Sequence, residues 1–289
     1  MKISKSTEIL KYWILERQKI FTLKEAGAER PWTSDPILDT YRFCNVYREQ
    51  DKVTRWIAAN LRNEADRYPW FTMTLARLIN LPESLTVLKR HLVDDTGTLA
   101  WNRKTFTDII HDRSCMGKKN FNPAYIVSTN GFAMEKGDYL GLKVLQPLWD
   151  DRDSINRDIR KAKSLEEVHT MLKTYNGLAS FMAAQVVADL KHYSRFMLLP
   201  DHLSFAAPGP GSKRGMNRIL GRETQASMSD TLWTSYMSQL YPYMSSWAER
   251  EGLPPLDAQD LQNCLCEYDK YMRAKTGEGT PKQKYQGGK

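Results

Sequence analysis

The sequence predicts a mainly α-helical fold, and three features carry that expectation. Apolar residues recur at helical spacing along most of the 289 residues, no clear run of period-2 alternation competes with them, and glycine-containing breaks separate the periodic segments. Ile9, Tyr12, Trp13, Ile20 and Phe21 form the first pattern, and about the first 35 residues can form a helical extension. Val53, Trp56, Ile57 and Leu61 form the second, and Phe71, Leu75, Leu78 and Ile79 the third. The segment Gly117 to Tyr139 is less regular, and its Pro123-Ala-Tyr-Ile-Val-Ser-Thr run fits a strand or a buried helical turn.

Ser164-Leu-Glu-Glu167 has the capping-box pattern, in which Ser164 and Glu167 satisfy each other's free backbone donors at a helix start. The helix runs through Val168, Met171 and Leu172, breaks at Tyr-Asn-Gly177, and a second helix follows from Phe181 to Leu190. A second glycine-rich break, Ala206 to Gly215, precedes a segment with Met216, Ile219 and Leu220 on one side. Arg214, Arg218 and Arg222 lie on the other at i, i+4 and i+8, a basic face. Leu261, Leu265, Tyr268 and Met272 give the last helix a core-facing side. No internal repeat and no strong boundary divides residues 1–274, which read as a single helical domain; residues 275–289 read as a mobile basic tail.

Composition excludes several classes. Four cysteines are too few for a disulfide scaffold in a chain this long, and none falls in a C-x-x-C pair. The five histidines lie far apart without H-E-x-x-H or zinc-ligand spacing, so no metal site is expected. The N-terminus lacks an apolar leader region, and the longest nearly apolar stretch, Phe181 to Ala188, is interrupted by Gln185 and is too short to span a bilayer. Secretion and membrane insertion are not expected. The sequence contains no G-x-x-x-x-G-K-[ST], and Gly209-Pro-Gly211 with Gly215 has the wrong spacing for a dinucleotide fingerprint. An ATP-dependent kinase and a Rossmann oxidoreductase are therefore not expected. Forty-two basic against 34 acidic side chains, a formal charge of +8, favour a polyanionic partner without identifying it.

The hairpin at Gly177, with Ala179 and Ala183 after it, resembles the helix-hairpin-helix of DNA glycosylases, in which hairpin amides and a helix start hold a DNA phosphate. Alanine replaces the second glycine of that motif. Asp201 lies where the glycosylase superfamily carries an essential aspartate; an ordinary helical hairpin with a surface aspartate is the alternative.

Four strings occur in order: Phe43-Cys-Asn-Val-Tyr-Arg-Glu-Gln-Asp51, Gly177 to Leu190, Gly209-Pro-Gly-Ser-Lys-Arg-Gly215 and Leu265-Cys-Glu-Tyr-Asp-Lys-Tyr271. Together they resemble the phage family of α-glutamyl/putrescinyl thymine pyrophosphorylases, which includes amino acid:DNA transferases of thymidine hypermodification. The resemblance runs from about Asp39 to Tyr271. It implies a glycosylase-like helical fold, acting in the cytoplasm of an infected bacterium on double-stranded DNA that carries activated 5-hydroxymethyluracil. An amine or amino acid would displace the phosphate or pyrophosphate, without organic cofactor. A base glycosylase on the same fold and a non-catalytic nucleic-acid-binding module are the alternatives.

Such a reaction needs a phosphate cradle, a base for the incoming ammonium and a wall for the extruded pyrimidine. Gly209, Gly211, Ser212, Arg214, Gly215 and Arg218 offer backbone donors, a hydroxyl and guanidinium groups at a helix start, or else a capping loop with a solvated basic face. Asn45, Arg48 and Asp51 fall at i, i+3 and i+6, a polar stripe that lines a pocket or a solvated helix edge. Gly177 and Gln185 join them as substrate- or DNA-contacting candidates through the resemblance, as does Glu267. Asp201 is the leading candidate base, with Asp269 its rival and Lys270 beside a phosphate. Asp189, on an otherwise apolar helix, requires a buried partner. The spacing of Cys44, Cys264 and Cys266 fits packed thiols better than nucleophiles.

Overall fold

A computed structural model describes residues 5–123 and 128–285. The run from Pro123 to Thr129, read as strand or helical turn, falls largely outside the described residues. In chain order the helices are α1 (Lys5–Glu25), α2 (Pro36–Thr40), α3 (Lys52–Leu61), α4 (Pro69–Ile79), α5 (Pro82–Leu92) and α6 (Arg103–Cys115). They continue as α7 (Lys136–Tyr139), a π-helical turn (Leu140–Leu145), α8 (Gln146–Asp150), α9 (Arg152–Lys161), α10 (Leu165–Leu172), α11 (Ser180–Leu190) and α12 (Ser194–Met197). The last three are α13 (Pro210–Ile219), α14 (Asp230–Arg250) and α15 (Ala258–Thr276). The mainly α expectation holds: extended pairing among the described residues is limited to the isolated bridges Tyr41–Lys284 and Val93–Leu99.

Contacts divide the chain into two compact units, residues 1–51 with 203–289, and residues 52–202. The sequence carries no composition shift at either crossing. In the first unit, Leu10, Trp13, Ile14 and Ile20 of α1 are buried with Trp233, Met237 and Leu240 of α14 and Leu261, Leu265 and Tyr268 of α15. The N-terminal helix is thus part of this core rather than an appendage to it.

Part of the segment read as a basic tail makes long-range contacts. Helix α15 runs to Thr276 and closes on Gly277, whose φ of +77° is the left-handed geometry glycine adopts without a side-chain penalty. Beyond it, Glu278 pairs with Arg218 at 2.5 Å, the Tyr285 amide donates to Thr40 and its ring meets Trp32 edge-on. The composition of these residues hides partners that lie far away in sequence.

In the second unit, α10 and α11 form the hairpin expected around Gly177. Gly177 has φ +80°, and a β-carbon there would lie 2.7 Å from both Val144 methyls, so two constraints select glycine. The Ser164 hydroxyl accepts from the Glu167 amide, whereas the Glu167 carboxylate reaches Lys163 N rather than Ser164, so only half of the expected reciprocal cap forms. Asp189 on α11 has the buried partners its setting requires: Arg77 donates to both oxygens at 2.5 and 2.8 Å, and Arg62 donates at 2.7 Å.

Candidate functional site

Most of the sequence-derived candidates gather in the first unit around the contact of α13 with α15. Helix α13 begins at Gly209, with Pro210 at its first position, where the missing amide hydrogen costs nothing. Gly211 and Gly215, one turn apart, let α13 approach α15: a β-carbon at Gly211 would lie 2.3 Å from Cys266 Sγ, and one at Gly215 would lie 2.2 Å from the Leu265 carbonyl oxygen. These glycines were expected to bring backbone against a phosphate. Their demonstrated neighbour is another helix. The Ser212 side chain, expected as a phosphate contact, is fully buried and closes the helix start by accepting from Gly209 N and donating to Gly209 O.

The close approach sets an acidic side chain of α15 against the basic face of α13. Asp269 is buried, accepts from Arg214 Nε at 2.8 Å and from Arg218 Nε at 2.9 Å through different oxygens, and has Arg273 Nε at 3.6 Å. Arg218 also reaches Glu278, and the Arg222 guanidinium donates to the Ser227 carbonyl. The expected basic face is therefore largely neutralised within the unit. Asp269 was expected against an ammonium; arginines occupy that place. Arg273 keeps 39% of its side chain exposed, Arg214 29% and Lys270 25%, so these three form the open cationic edge of the cluster.

Glu267 bridges α15 to the 43–51 segment. It accepts from Cys44 N at 2.9 Å and pairs with Lys270 at 2.6 Å, while Lys270 stands 4.9 Å from the Phe43 ring centroid. The polar stripe is not a helix face. Residues 41–47 are irregular and Arg48–Gln50 make a single 3-10 turn, because the backbone here is claimed by long-range partners. Arg48 N donates to Asp260, Tyr47 Oη donates to Pro254 O, Asn45 Nδ2 donates to Gln50 O, and Asp51 N closes on Arg48 O.

Arg17, absent from the expected set, organises this segment. It is 4% exposed and donates to the Cys44 carbonyl at 3.0 Å and to Asn45 Oδ1. Its register was the available signal: Trp13, Arg17 and Ile20 fall at i, i+4 and i+7 on the buried face of α1, so a charge there had to be paired inside. Arg62 and Arg77 were missed similarly, although Arg77 interrupts an apolar helix just as Asp189 does.

The three neighbouring thiols are all shifted upward from the ordinary thiol value. Cys266 is pushed up to about 11 by burial, burial raises Cys264 well above the ordinary thiol value, and the Glu267 charge raises Cys44. The packing expected of these thiols is met by Cys264, which is buried, whereas Cys266 is half-buried and Cys44 exposed.

Gly177, Gln185 and Asp201 belong to the second unit. Gln185 is buried within α11. Asp201 caps α10: one oxygen accepts from Leu165 N at 2.8 Å and the other from Glu166 N at 3.0 Å. A carboxylate at a helix N-terminus is stabilised by both bonds and dipole, and this accounts for Asp201 without a proton-transfer role. No group of side chains among the described residues has the arrangement of a metal site, and no helix there is long and apolar enough to cross a membrane.

Comparison with known proteins supplies what this geometry leaves open. Residues 4–280 match the family model described as 5-hmdU DNA kinase, helical domain. A 5-hmdU DNA kinase of Bacillus phage SP10 is 26% identical over 282 residues, covering 90% of this chain and 44% of the relative. The chain thus spans less than half the length of that relative. No solved structure matches.

Proposed function

We propose, from the premise that this chain belongs to the 5-hmdU DNA kinase helical-domain family, that it engages DNA carrying 5-hydroxymethyluracil and serves that base's hypermodification in a phage-infected bacterial cytoplasm. The observation that carries this reading is the extent of the family match, which takes in both compact units rather than a fragment of one. The net charge of +8 supports a polyanionic partner. Within the first unit, Arg214, Lys270 and Arg273 are partly exposed cations able to meet a phosphate.

A more specific reading is that the chain replaces a phosphate or pyrophosphate on the 5-methylene carbon with an amine. A carbon–nitrogen bond would form, the carbon–oxygen bond to phosphate would break with its electron pair on the leaving oxygen, and the ammonium proton would pass to a base. The four ordered strings favour it. The engagement of Asp269 by arginines and of Asp201 by backbone amides favours the DNA-engaging reading over either carboxylate as that base. Helix-hairpin-helix contact with DNA at Gly177 belongs to the same proposal.

Mass spectrometry of nucleosides separates the readings. The chain is incubated with 5-hydroxymethyluracil DNA and ATP, and separately with phosphorylated DNA and a mixture of amines. A phosphate gain marks kinase chemistry, an amine-for-phosphate exchange marks transfer, and free base marks a glycosylase. Binding without any mass change leaves DNA engagement as the function. The absence of both binding and any mass change contradicts the proposal.

A further inference from the structure

The cations expected to meet DNA on α13 are largely paired internally, but the second unit presents a basic groove in which, among the described residues, only Arg67 of the cations has an ion-pair partner, Asp153. Arg67, Asn156, Arg157, Arg160 and Lys161 line a groove of about 330 Å³, with Asp153 its one carboxylate. On α9, Asp153, Asn156, Arg157, Arg160 and Lys161 fall at i, i+3, i+4, i+7 and i+8, one face of a helix whose opposite side buries Ile155 and Ile159.

Two contacts leave this face free for a ligand. Asp153 is engaged by Tyr68 Oη at 2.6 Å and by Arg67 at 3.4 Å, and the tyrosine hydrogen bond holds its carboxyl below the usual range, so the groove's negative charge is already compensated. The Arg195 guanidinium donates to the carbonyls of Ile159 and Arg160, satisfying the C-terminal end of α9 and relieving Arg160 and Lys161 of that task. Arg157, Arg160 and Lys161 make no side-chain hydrogen bond or ion pair among the described residues.

We propose that this α9 groove is a track for the phosphate backbone of duplex DNA. The inference rests on the proposed DNA-engaging function and adds where the duplex is held. With Arg67 paired to Asp153, three further cations leave a net positive groove, and Arg157 to Lys161 rise about 6 Å along the helix, enough to meet more than one phosphate of a strand. Such contacts hold position without reading sequence.

The test measures binding of the full chain to a duplex containing 5-hydroxymethyluracil across a salt series. It compares the unaltered chain, the triple variant R157Q/R160Q/K161Q, and K104Q, which alters an exposed lysine of α6 that pairs with Asp108 of the same helix. Each phosphate contact contributes about −0.9 to the slope of log K against log salt, so the triple variant should be flatter by up to about 2.7 with K104Q unchanged. Thermal melting verifies that the exposed substitutions leave the fold intact. Binding by the unaltered chain with the same slope in the triple variant overturns the groove and leaves the DNA reading standing. Displacement of the duplex by ATP at matched ionic strength, lost in the triple variant, overturns it in favour of a free nucleotide. Absence of DNA binding by the unaltered chain defeats both the groove and the DNA reading.

Discussion

Gly215 lies so close to Leu265 across the α13–α15 contact that a β-carbon on the glycine would sit 2.2 Å from the leucine carbonyl oxygen. The obstructing atom is backbone, which cannot move aside as a side chain can. Gly215→Ala should therefore cost at least the about 1–3 kcal/mol typical of overpacking, whereas Gly209→Ala, whose nearest neighbour would be Gln262 Nε2 at 3.5 Å, should stay near the unaltered chain. Denaturation midpoints measure both. Equal stability of the two variants would show that the helices separate without cost.

Asp269 compensates Arg214 and Arg218 from a buried position, so Asp269→Asn should destabilise by about 3–5 kcal/mol, the usual penalty for removing one partner of a buried charge group. Chemical denaturation tests this. Loss of activity at unchanged stability would instead assign Asp269 to chemistry.

Glu278 is held at about 2 by its hydrogen bonds to Arg218. A carboxylate depressed in the folded state adds stability that is complete above its unfolded value near 4.5 and is lost as pH falls toward about 2. Glu278→Gln should thus reduce the steepness of acid unfolding between these values and leave the profile above pH 5 parallel to that of the unaltered chain. Melting temperatures taken through this range are the measurement.

Asp201 accepts two amides at the start of α10, so Asp201→Ala should cost about 0.5–2 kcal/mol, with Asp201→Asn restoring part because one oxygen can still accept. DNA binding should persist in both. Unchanged melting accompanied by a rate loss on the order of 10²–10⁴ would return Asp201 to the role of base.

What was legible in the sequence was mostly local. Helical spacing, the Ser164 cap and the Gly177 hairpin each depend on neighbours within a few residues, and each is present. Asp189 was also legible, because a charge amid apolar residues demands a partner even when the partner's identity is hidden. The α13 face misled because spacing places Arg214 and Arg218 together without revealing Asp269 more than 50 residues away. The 43–51 stripe failed for a related reason: its periodicity is helical, but Glu267, Asp260 and Arg17 take its backbone groups. Glycine likewise announces a close approach without saying whether phosphate or helix makes it.

The central claim, that this chain engages DNA through its modified base, is tested most directly by affinity for three duplexes of one sequence at one salt concentration. They carry thymine, 5-hydroxymethyluracil or its phosphorylated form at a single position. Binding to at least one modified duplex should exceed binding to the thymine duplex by about tenfold, equivalent to about 1.4 kcal/mol. Equal affinity for all three, or no binding to any, would contradict the account.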